Sequence, residues 1–130
     1  MDRFTRGDYS RGMVEMTERL LIDAGIGPGM RVLDVGCGRG DVALLAAKLV
    51  GAQGEVVGID RDLGALEVAR GRVREAGLTN VIFAAGDLAA IGPEHGVFDA
   101  AVGRRVLMYQ AAEGWRSAGT RARAWRRLGP

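Results

Sequence analysis

The sequence predicts an α/β fold built on a mostly parallel sheet. Two observations carry that prediction. Short apolar segments of strand length alternate with segments whose apolar residues recur at helical spacing. The first three strand-like segments also end in, or just before, an aspartate. Composition adds a third: 21 glycines against three prolines in 130 residues suit tight strand-to-helix turns, and 48% hydrophobic residues suit a single packed domain rather than a disordered tail.

The elements follow in order. Met13, Met16, Thr17, Leu20, Leu21 and Ala24 share one helical face, with Gly25 as the stop and the two methionines expected in the core. After the turn GIGPGM, Arg31 to Val35 (RVLDV) reads as a buried strand ended by GCGRG. Val42, Leu45, Ala46 and Leu49 form the apolar face of the next helix, closed by Gly51. Glu55 to Asp60 (EVVGID) is a second strand, and Leu66, Ala69 and Val73 mark a helix ending near Gly77. Asn80 to Ala85 (NVIFAA) and Val97 to Val102 (VFDAAV) are the third and fourth strands. Right-handed crossovers between parallel strands bring the turns after all four to one edge, where ligands bind in such sheets.

Several function classes are excluded or demoted. No apolar run approaches the ~20 residues that span a bilayer, and the first dozen residues lack an apolar signal core, so a cytoplasmic protein without a membrane partner is expected. The single cysteine, Cys37, excludes an internal disulfide and a cysteine-rich zinc site, and no metal is expected. Residues 1–110 hold 13 basic and 15 acidic groups, while residues 111–130 hold five arginines and one glutamate. The net charge of +2 therefore comes from the tail, and nucleic acid is not expected as a partner.

The chemistry concentrates around Gly36-Cys37-Gly38-Arg39-Gly40. Glycines there let the backbone adopt positive φ and approach a ligand closely. Asp60, closing the second strand, is placed to accept both hydroxyls of a ribose, and Asp87 lies within reach of an adenine edge. A dinucleotide fingerprint would need glycine where Asp41 stands. Asp34 and Asp41 flank the turn and would repel a pyrophosphate: like charges ~4 Å apart cost ~1 kcal/mol in water and more when partly buried. A ligand carrying an amino group and a sulfonium reverses that sign. The competing reading of Asp34 and Asp60 is as caps for the helices that follow; Asp87 could serve a local turn, and His95 sits in an exposed loop.

VLDVGCGRGDVALLAA, VVGIDRD, AAGDL and FDAAVGRRVLMY, in that order and spacing, resemble the class I S-adenosylmethionine-dependent methyltransferases, especially their small-molecule members. The resemblance runs from about Gly29 to Tyr109. It implies a Rossmann-like sheet, here incomplete with about four strands and helices on both faces. It implies S-adenosylmethionine as cofactor and a small-molecule methyl acceptor. By the same resemblance Asp34, Gly36, Cys37 and Gly38 line the methionine end, Cys37 through its backbone. Asp60 holds the ribose, Arg61 lies beside the adenine, Asp87 and Leu88 read its edge, and Arg104 borders the site with Gly103. No catalytic residue is identified. The alternatives are a non-catalytic module binding the same cofactor and a nicotinamide-dependent oxidoreductase fragment.

The resemblance implies a domain over residues 1–110 and a distinct tail over 111–130. The family continues past the fourth strand into a helix and three more strands, whereas this tail has no Ile, Val, Phe or Tyr. Trp115, Ala118, Ala122, Trp125 and Leu128 allow a short helix; an out-of-frame ending is the other expectation, and with it a truncated chain of open activity. A bare outer edge on the fourth strand would then invite self-association.

Overall fold

The computed structural model describes residues 2–87, 97–103, 109–116 and 125–127, with side chains described over 11–87 and 97–103. The chain folds as α1 (Asp2–Asp23), β1 (Arg31–Val35), α2 (Asp41–Val50), β2 (Glu55–Asp60), α3 (Leu63–Glu75), β3 (Val81–Ala85), β4 (Val97–Gly103), β5 (Tyr109–Arg116) and β6 (Trp125–Arg127). The sheet order is β3-β2-β1-β4-β5-β6. β3, β2, β1 and β4 are parallel, giving the partial Rossmann-like sheet that the sequence predicts. The chain moves outward from β1 to β3 and then returns to place β4 on the other side of β1. That reversal opens a crevice at the carboxyl ends of β1 and β4.

Strand alternation divides the core in two. Val32, Val56, Ala100 and Val102 face α2, whose Ala43, Ala46, Ala47 and Val50 pack on them. α1 reaches this layer through Leu21, and Ile26 follows it in. Small alanines on α2 let the helix lie close to the strands. Leu33, Val57, Ile59, Phe98 and Ala101 form a second buried cluster.

Helix ends are fixed by specific groups. Asn80 Nδ2 donates to the carbonyls of Ala47 and Gly51 at 3.0 and 2.8 Å, tying the end of α2 to the start of β3. The Asp62 carboxylate accepts from the Ala65 N–H at 3.1 Å and caps α3. Asp62→Ala should lower stability by about 1 kcal/mol, read as a lower urea midpoint. At the opposite edge of the sheet Arg31 joins three strands: it pairs with Glu55 at 2.8 Å, donates to the Val97 carbonyl at 2.7 Å, and lies 4.7 Å from the Phe98 ring centre.

Two expectations need correction. Met13 and Met16 are not core residues: they are 41% and 53% exposed, because among the described side chains α1 reaches the core only through Leu21 in its last turn, with Ala24 just beyond its end. The outer edge of β4 is not bare, since β5 pairs with it antiparallel. In the last part of the chain the described residues 109–116 and 125–127 are strands. Backbone ladder bonds need no particular side chain, so a sequence poor in strand formers can still extend an existing edge.

Candidate functional site

The site is built at the carboxyl ends of the parallel strands. Asp34 is 1% exposed, with Gly58 and Val102 as its register partners on β2 and β4. The chain then makes a turn in which Gly36, Gly38 and Gly40 have φ of 69, 55 and 90°. These left-handed values favour glycine. At Gly36 and Gly38 nothing lies within 4 Å of where a Cβ would stand, so the turn faces open space.

Asp60 gathers the surrounding turns. Its Oδ2 accepts from the Gly38 N–H and its Oδ1 from the Asp62 N–H, each at 2.8 Å. Its carbonyl accepts from the Gly86 N–H at 2.9 Å, just before Asp87. The turns after β1, β2 and β3 are thus held by one residue. Arg61 Nη2 pairs with Asp87 Oδ2 at 2.7 Å, bridging the ends of β2 and β3.

The structure therefore brings Asp34, Gly36, Cys37, Gly38, Asp60, Arg61 and Asp87 to one edge of the sheet. Leu88, Arg104 and His95 lie outside the described residues. Asp41 differs from its expected role as an uncompensated charge: Arg72 Nη1 pairs with it at 2.7 Å. Arg39 is exposed, and its carbonyl accepts from Arg72 at 2.8 Å. Sequence reasoning missed Arg72, which no local motif marks.

Cys37 is buried, its N–H donating to the Ile59 carbonyl at 2.9 Å. Burial, followed by the nearby charges of Asp34 and Asp60, pushes the thiol from 9.0 up to about 12. It is accordingly no nucleophile near neutrality. Above pH 9 the unfolded chain ionises this thiol while the folded chain does not, so this contribution to stability is lost between pH 9 and about 12. Over that window the wild type should lose stability more steeply than Cys37→Ala in denaturant titrations.

Beside the end of β4 lies an open groove of about 880 Å³ whose walls include Leu20, Val42 and Val102 together with the charged Asp41, Lys48, Arg72 and Glu75. Among the described residues no group of three or more His, Cys, Asp or Glu is placed to hold a metal ion. Nor is any helix there long and apolar enough to cross a membrane.

A four-stranded parallel unit with an acid-flanked glycine turn at its reversal point defines a Rossmann-like α/β protein. Comparison with known proteins makes the assignment specific: residues 26–114 match the family model described as a methyltransferase domain, and the chain belongs to the class I S-adenosylmethionine-dependent methyltransferases. It is 51% identical over 55 residues to a 2-phytyl-1,4-naphtoquinone methyltransferase of Synechococcus elongatus, covering 42% of this chain and 24% of that protein. It is 44% identical over 81 residues to the aklanonic acid methyltransferase DauC of a Streptomyces species, covering 62% of this chain and 37% of that one. Among solved structures, a protein-L-isoaspartate O-methyltransferase superposes with a TM-score of 0.62 at 32% identity, over 68% of this chain and 28% of the other. The chain thus spans about a quarter to two fifths of the length of these relatives.

Proposed function

We propose that this chain binds S-adenosylmethionine at the carboxyl edge of β1, β2 and β3 and forms the cofactor part of a small-molecule methyltransferase. The observation that carries the reading is Asp60, whose carboxylate sits at the tip of β2 and fastens the glycine turn through Gly38. A carboxylate offers about four acceptor positions, so accepting the two ribose hydroxyls need not break its bonds to Gly38 and Asp62. The open space beside Gly36 and Gly38 fits a ligand lying along the turn. Asp34, in the floor below, supplies negative charge toward an amino group and a sulfonium. Arg61 and Asp87 together border the adenine end.

The bound cofactor supplies a methyl group activated on a positively charged sulfur. The protein's part is to hold that group still and in line with an incoming nucleophile, since alignment alone can remove a large share of such a barrier. Cys37 stays a neutral thiol in this role and contributes backbone. The groove beside β4 combines apolar side chains with four charged ones and suits an acceptor with both an apolar body and polar groups, in keeping with the naphtoquinone and the aklanonic acid in the relatives' names.

A second reading is a module that binds the cofactor without transferring its methyl. Incubation with methyl-labelled S-adenosylmethionine and a panel of apolar phenols and quinols separates the two. Labelled product supports the transferase reading; saturable binding with no product on any acceptor supports the module.

A further inference from the structure

We propose that Arg72, on the outer part of α3, is a positioning residue for the glycine turn and raises affinity for the cofactor without touching it. This rests on the reading of that turn as the cofactor cradle. One nitrogen, Nη1, donates to the Arg39 carbonyl at 2.8 Å and to Asp41 Oδ1 at 2.7 Å. Arg72 thereby grips the last part of the turn and the first residue of α2, both more than 30 residues earlier in the chain.

The same helix meets the turn at a second point. A Cβ on Gly40 would lie 3.2 Å from the Cβ of Ala69, which precedes Arg72 by about one helical turn. The backbone of the turn is therefore pressed against α3 at Gly40 and held to it at Arg39 and Asp41.

The turn needs holding from outside. Gly40 caps α2 with φ 90° and provides no side-chain hydrogen bond to the first helical turn. Its neighbours Gly36 and Gly38 also have positive φ, and glycine loses more conformational freedom on ordering than any other residue. A turn fixed in advance binds its ligand without bearing that entropy at the moment of binding. The Arg72–Asp41 pair is partly exposed and adds little to global stability. Its effect is local, on residues 38–44. Because both bonds leave from a single nitrogen, the ammonium of a lysine has enough donors to replace them.

The test compares the wild-type chain, Arg72→Gln and Arg72→Lys. Calorimetry reads affinity for S-adenosylhomocysteine, and amide hydrogen exchange without ligand reads the turn. Arg72→Gln should weaken binding about three- to tenfold and speed exchange at Gly38, Gly40 and Leu44, with Val32 and Val57 unchanged. Arg72→Lys should recover most of both. Wild-type affinity in Arg72→Gln overturns the proposal and leaves the cradle reading standing. Faster exchange spread evenly through β1 and β2 also overturns it, since that marks a general loss of stability. Absence of binding by the wild type itself overturns the cradle reading, and this inference falls with it.

Discussion

Replacing Asp60 with alanine should raise the dissociation constant for S-adenosylmethionine about 100-fold or more. A hydrogen bond to a charged group contributes about 1.5–3 kcal/mol, and two ribose hydroxyls would lose their acceptor together. The internal consequence adds to this, because the Gly38 and Asp62 N–H groups lose their partners as well and the turn after β1 loosens from β2. Calorimetry at a temperature well below the melting midpoint of the variant measures the change. Unaltered affinity would remove Asp60 from the ribose and, with it, the main support for the proposed placement of the cofactor.

The second large effect is expected at Gly58, in the middle of β2. Its register partners are Asp34 on one side and Phe83 on the other. A Cβ here would stand 2.9 Å from Phe83 Cδ1 and 3.0 Å from the Cys37 sulfur. The space left by the missing side chain is therefore filled by the Phe83 ring of β3 and the Cys37 thiol of the glycine turn. Gly58→Val adds three carbons to that space and must displace one or both. Overpacking of this kind costs about 1–3 kcal/mol, and the branched valine belongs at the upper end. Circular dichroism should show a lower melting midpoint, and affinity for the cofactor should fall because the turn shifts with Cys37. A wild-type melting curve would mean that the ring and the thiol yield freely, contrary to the packing described.

Much of this architecture was legible in the residues. β1, β2, β3 and β4 were marked by runs such as RVLDV and EVVGID, whose length and bounding glycines leave little room for another reading. The turn glycines were legible because positive φ has few other solutions. What stayed hidden were pairings over distance. Arg72 lies 31 residues from Asp41, and Arg61 lies 26 from Asp87, so neither pair leaves a local pattern. Asp41 is consequently not a bare charge toward a diphosphate, since Arg72 offsets it. The repulsion of a diphosphate falls instead on the buried Asp34 and on Asp60. Helical spacing likewise identified the face of α1 but not how far along it burial begins. The strands β5 and β6 were not legible because backbone pairing, not side-chain preference, defines them.

The central claim is that this acid-lined edge accepts a cationic sulfur nucleoside in preference to a diphosphate. Parallel calorimetric titration of the full chain with S-adenosylmethionine and with NADH tests it most directly. Saturable heat from the first and none from the second is the predicted outcome; equal or tighter binding of NADH would contradict the account.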